Sequence, residues 1–268
     1  MKKLLIVAAL VCALSAHCFA IGSVVQGLLG GHASAASGSA CASGLTATAT
    51  YTNPTTIGNT LLVVIWFNIA TANNESMATA VTTSGVTWTE VSGAFSTSIW
   101  DSTNHITKGT NAYQILDASS SIASSTNVTV TASGISSTVT NCNVEFALFE
   151  LGGILATVGN AKFSGNANAG VTSSSPSVSV TTGFTGLTGF VICFFAGEGS
   201  TNLSAGSGYT LGPIAGTSVV GNVEYGSGKS PTVTAAFSGT NPFWGATLLW
   251  YEDGSSASAV KRHNGSVF

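Results

Sequence analysis

Beyond its first twenty residues the chain carries ten carboxylates, three histidines and three cysteines, and these are the side chains with which it could do chemistry. The acids are Glu75, Glu90, Asp101, Asp117, Glu145, Glu150, Glu198, Glu224, Glu252 and Asp253. Glycoside hydrolysis needs two of them facing one cleft, about 5–10 Å apart. Glu145 and Glu150 lie five apart in one strand-like run and so point to opposite faces. The alternating string Glu-x-Asp-x-Glu, which would put acids side by side on one face, is absent. The acids therefore read as solvated or strand-end charges, and a secreted glycan-active hydrolase is the alternative rather than the leading reading.

Nucleophilic catalysis has less support. Gly206-Ser-Gly208 and Gly226-Ser-Gly228 are turn sequences between strands, not the Gly-x-Ser-x-Gly elbow that joins a strand to a helix. His32 and His263 fall in segments that read as flexible ends, which leaves His105 as the one histidine placed to act as a base. Its loop, Asp101 to His105, is equally suited to a turn whose short polar side chains bond its own backbone. No run of alternating carboxylates suits calcium, and the scattered cysteines match no zinc spacing. The expectation is no metal, no cofactor and no enzyme.

Aromatic residues give the remaining lead. Trp66, Trp88, Trp244 and Trp250 sit inside apolar or alternating runs and read as core, whereas Trp100 closes a short strand beside a polar loop. A planar ring flanked by amide and carboxylate groups is what sugar recognition requires. Trp100, Asp101, Asn104 and His105 are therefore the candidate ligand face, with a glycan or a cell-surface component as the expected partner.

The elements that must position these residues begin after a leader. Residues 1–20 carry Lys2 and Lys3, an apolar run from Leu4 to Ala16, and small residues at Cys18 and Ala20, which is the pattern of a cleavable secretory signal. The run is shorter than the roughly 20 residues that span a bilayer, so no transmembrane segment is expected in the mature chain. The expected location is secreted or extracytoplasmic, in the periplasm or at the cell surface. Residues 21–40 are rich in Gly, Ser and Ala and read as a flexible lead-in. Residues 254–268 read as a polar tail.

Charged residues make up only 6 % of the chain while 44 % are hydrophobic. Hydroxyls and amides must supply solubility, and the apolar runs are sufficient for a buried core. Loss of Lys2 and Lys3 takes the formal charge from −3 to −5, which leaves no basic stripe for nucleic acid. Of the cysteines beyond the leader, Cys41 and Cys142 lie in polar surroundings at strand starts, and Cys193 lies within the apolar run Gly189 to Phe195. The expectation is a disulfide between Cys41 and Cys142, with Cys193 buried and reduced.

From Cys41 to Asp253 the sequence is a succession of short β-branched and aromatic runs separated by Gly, Asn, Ser and Pro. Asn127 to Ala132 alternates and has one wet face, while Leu61 to Phe67 and Phe190 to Phe195 are apolar on both faces and belong at the centre of sheets. No amphipathic helix separates consecutive strands, which excludes a parallel α/β sheet. The fold class is all-β, a two-sheet antiparallel β-sandwich spanning residues 41–253.

Several stretches together resemble a loosely defined group of bacterial and phage-associated β-sandwich domains. They are Gly58-Asn-Thr-Leu-Leu-Val-Val-Ile-Trp66, Gly85-Val-Thr-Trp-Thr-Glu90 with Ser98-Ile-Trp100, Glu150-Leu-Gly-Gly153, Ala205-Gly-Ser-Gly-Tyr-Thr210 and the closing Phe243 to Trp250. The resemblance implies a jelly-roll-like sandwich and a surface, secreted or virion-like setting, and brings no activity with it.

Overall fold

The computed structural model describes residues 22–71, 75–91, 99–101, 105–166, 177–179, 189–197, 203–212, 220–229, 232–234, 236–237 and 244–253. The leader and the polar tail lie outside them.

The chain is mostly β. It begins with β1 (Ser23–Ala35), a short helix α1 (Gly38–Ala42), β2 (Leu45–Ala49), β3 (Thr60–Ala70), β4 (Ala78–Thr82), β5 (Thr89–Glu90) and β6 (Ile99–Asp101). There follow β7 (Ile106–Ile115), β8 (Val128–Ser133), β9 (Asn141–Gly152), β10 (Ile154–Asn166), β11 (Ser177–Ser179) and β12 (Gly189–Gly197). The last strands are β13 (Leu203–Ser204), β14 (Thr210–Leu211), β15 (Val220–Lys229), β16 (Thr232–Thr234), β17 (Ala236–Phe237) and β18 (Trp244–Asp253). All pairings among them are antiparallel.

Three sheets carry the body. The six-stranded sheet runs β1-β9-β3-β7-β5, with β6 also on β7; the five-stranded sheet runs β10-β18-β12-β15-β14; the three-stranded sheet runs β2-β8-β4. β3 decides how they stack. Its odd residues Leu61, Val63, Ile65, Phe67 and Ile69 share one core with Leu45, Ala47, Val81, Val128 and Val130 of the three-stranded sheet. Its even residues Leu62, Val64 and Trp66 share a second core with Phe190, Ile192, Phe194, Val223, Leu249 and Tyr251 of the five-stranded sheet. Successive side chains of a strand point to opposite faces, so the six-stranded sheet is a middle layer buried on both sides. This corrects the two-sheet expectation. A run that is apolar on both faces can be covered by a sheet and loops or by two sheets, and its composition is the same in both cases.

Hydrogen bonds fix the layers laterally. Thr110 Oγ1 and Thr247 Oγ1 lie 2.7 Å apart between the middle and five-stranded sheets, and Tyr251 donates its hydroxyl to Gln114 Oε1 at 2.9 Å. On the opposite side Asn111 Nδ2 donates to Thr79 Oγ1 at 2.9 Å.

The expected flexible lead-in over residues 21–40 is also corrected. Residues 23–35 form β1, paired with β9 from Ser23 opposite Gly152 to Ala35 opposite Cys142, with register shifts between Val24 and Gln26 and between Leu29 and His32. The glycines that suggest a linker are there because the backbone is crowded. A Cβ on Gly30 would lie 2.5 Å from the Phe146 ring, and one on Gly31 would lie 2.5 Å from the Thr48 carbonyl oxygen. Close approach, rather than freedom, requires glycine at both positions. The β body thus starts at Ser23, and His32 is an exposed strand residue opposite Glu145.

α1 is capped by Ser37, whose hydroxyl accepts from Ala40 N at 3.4 Å. It carries Cys41, which forms a disulfide with Cys142 at the start of β9. Cys193 is free and buried in β12.

Candidate functional site

Of the residues expected to form a ligand face, Trp100, Asp101 and His105 have their backbone at the β6–β7 hairpin on the edge of the middle sheet. Trp100 pairs with Thr107 and Asp101 with Ile106, so β6 and β7 run side by side as an antiparallel pair. His105 closes the turn, exposed, with a left-handed φ of 53°, and its carbonyl accepts from Thr71 N at 2.8 Å. Positive φ in a non-glycine residue is tolerated in tight turns and is enriched in His, Asn and Asp. Asn104 lies outside the described residues. The hairpin brings Trp100, Asp101 and His105 to one tip.

The acids are dispersed. Glu145 and Glu150, both buried, lie on opposite faces of β9: Glu145 opposite Trp66 and Glu150 opposite Leu61. Glu150 is held by three donors, Gln26 Nε2 at 2.5 Å, Asn59 Nδ2 at 2.6 Å and Thr56 N at 2.8 Å. Burial works to raise its pKa, but these bonds to the charged form prevail and hold the carboxyl below the usual carboxylate range. Its role is structural: it ties β1 and the segment before β3 to β9. Glu150→Ala strands three donors, and at about 1 kcal/mol or more for each orphaned group it is expected to cost about 3 kcal/mol in urea melts at neutral pH, less in acid.

Glu224 is different, and sequence reasoning passed over it. It is 0 % exposed on β15, opposite Cys193 of β12 and Leu211 of β14. Gly206 N donates to its Oε2 at 2.8 Å, while Oε1 is buried without a hydrogen-bond partner. Burial pushes its carboxyl up to about 7, partly offset by the Gly206 bond. Neighbouring groups respond in kind. Burial, with Glu224 alongside, lifts Tyr209 to about 12 and raises the Cys193 thiol well above its usual value. A carboxyl titrating near neutrality is the property expected of a general acid. The local signal was slight: an acid set between Val223 and Tyr225 in a strand that also carries Asn222, Ser227 and three glycines. Among the described residues no cluster of three or more His, Cys, Asp and Glu comes together to hold a metal.

A concave surface lies at the edge where the middle and five-stranded sheets part. This groove, about 390 Å³, is lined by Val24, Gly27, Leu28 and Leu29 of β1, Phe149, and Leu211, Gly212 and Tyr225. Around it Val25 is 53 % and Leu29 43 % exposed. β1 contains no charged residue. Long uncharged sheet edges are templates for further pairing, and most proteins guard them with charge or proline.

No helix among the described residues is long and apolar enough to cross a membrane. No protein-family model matches the chain, and no curated protein matches it.

Proposed function

We propose that the chain is an exported, non-catalytic β-sandwich that acts by contact, in adhesion, surface coating and assembly or in holding a glycan. The middle and five-stranded sheets would form the sandwich, jelly-roll-like by the resemblance above, with the three-stranded sheet as an outer cover. The disulfide supports an oxidising compartment, in agreement with the secretory pattern of residues 1–20. The observation that carries the contact reading is the groove beside β1, an apolar mouth bordered by an uncharged sheet edge. Its occupant in this reading is a second copy of the chain: an edge without protecting charge is self-complementary for antiparallel pairing about a two-fold axis. The hairpin carrying Trp100, Asp101, Asn104 and His105 is the glycan face.

Two substitutions separate these surfaces. Leu29→Arg places a charge in the groove and is expected to shift the protein to monomer in light scattering, with an unchanged melt. Trp100→Ala is expected to abolish retention on polysaccharide beads and leave assembly intact. If both variants behave as wild type, the contact surfaces are elsewhere and this reading fails.

One observation favours the alternative, a secreted glycan-active hydrolase: the carboxyl of Glu224, poised at about 7. Turnover of a polysaccharide that disappears with Glu224→Gln would establish the enzyme and overturn the contact reading.

A further inference from the structure

The face of the middle sheet that turns toward the five-stranded sheet ends in an unusual row. Lys108 of β7 pairs with Asn68 of β3, and Asn68 pairs on its other side with Asn143 of β9. One step along, Thr110, Trp66 and Glu145 form the next row on the same face. Lys108 is 4 % exposed and Glu145 2 % exposed, in a chain with only seven basic residues. Lysine is almost never so deeply buried without a specific reason.

We propose that Lys108 and Asn68 are the partners of an intramolecular amide crosslink, with Glu145 as the proton shuttle. The neutral lysine amine is the nucleophile, and removal from water favours that form of an amine. Nζ of Lys108 attacks Cγ of Asn68 and the Nζ–Cγ bond forms. Glu145 takes the proton from the attacking nitrogen and delivers it to the departing amide nitrogen. The Cγ–Nδ2 bond then breaks and ammonia leaves. Nothing is oxidised or reduced, and no co-reactant is consumed.

Three features select these residues. Directly paired residues on adjacent antiparallel strands have Cβ atoms about 5 Å apart, which a lysine stem and an asparagine carboxamide can span. Glu145 lies diagonally from Asn68 across the β3–β9 pair, within the reach of long side chains. The carboxamides also differ in engagement: Asn143 Nδ2 donates to Asn141 Oδ1 at 3.0 Å, whereas Oδ1 of Asn68 is buried with no hydrogen-bond partner. Two residues back on the same face, the indole N–H of Trp66 is likewise buried without an acceptor. The bond would staple β3 to β7 and close off everything between them.

The test is the intact mass of the full chain, folded, then reduced and denatured, followed by peptide mapping. The expected result is a mass below that of the sequence by one ammonia, with a branched peptide joining the β3 and β7 segments through Asn68 and Lys108. Glu145→Gln and Lys108→Arg, each checked for a cooperative melt, are expected to show the full sequence mass. A wild-type protein that melts cooperatively at the full sequence mass overturns the proposal. So does an ammonia deficit that maps to Asn143, or to a succinimide within a single peptide. A deficit retained in cooperatively melting Glu145→Gln removes Glu145 from the reaction.

Discussion

Replacing both Cys41 and Cys142 by serine is expected to lower the melting temperature by roughly 10–15 °C, because a bridge closing a loop of about a hundred residues removes some 4–5 kcal/mol of denatured-state freedom. The two cysteines are 101 residues apart in sequence, so the loop encloses β2 to β8 and joins α1 to the start of β9. Guanidinium melts of the wild type with and without reductant, beside the double variant, measure the effect. Reduced wild type and double variant should coincide. A loss below about 1 kcal/mol would mean that the denatured chain is already restricted in the region the bridge encloses. Cys193 contributes nothing to this difference; its buried thiol should react with a disulfide reagent only as the chain unfolds.

The pH dependence of stability should carry the mark of Glu224. In the folded chain its carboxyl titrates at about 7, against 4.5 for the ordinary group, so between those values the native state holds a proton that the unfolded chain releases. The stability from this group is therefore complete below about pH 4.5 and is lost as pH rises through 7, a change of about 3 kcal/mol by the usual conversion of pKa difference to free energy. Glu150 works in the opposite direction: its lowered pKa contributes stability above the ordinary carboxylate range, lost as pH falls. Together they place maximum stability in mildly acidic solution. Glu224→Gln retains a neutral side chain of the same shape. It should match the wild type near pH 4 and exceed it by about 3 kcal/mol near pH 8. Equal stabilities at pH 8 would show that the carboxylate finds solvent or a partner there.

How much of this was legible beforehand depends on the physical cause of each feature. β3 and β12 were legible because strands covered on both faces must be apolar at every position, and Leu61 to Phe67 and Phe190 to Phe195 are. The separation of Glu145 from Glu150 followed from parity alone. The cysteine pair could be read because both lie at polar strand starts while Cys193 is embedded in Phe, Val and Ile. β1 could not, since a glycine selected for closeness to a neighbouring ring looks the same as one selected for flexibility. The third layer was hidden too, because β2, β4 and β8 alternate as any half-wet strand does and do not state which sheet they cover. Glu224 and the Lys108 row were missed for a related reason. Each is one charged residue in a strand of mixed polar and apolar residues, and only the register between strands distant in sequence brings it to Cys193, Asn68 or Glu145.

The place of β1 also sets an order of events. Among the described residues it is the first strand in the chain, yet its sheet partner there is β9, which begins at Asn141. Folding dominated by such distant pairings is slow, since the ends of long loops must meet before any contact rewards them. Through that interval the acceptor edge of β9 stands vacant, and any copy of the same chain can fill it with its own first strand. Exchange of β1 between chains, trapped once the Cys41–Cys142 bridge forms beside it, would yield intertwined dimers whose abundance depends on chain concentration during folding, not on affinity afterwards.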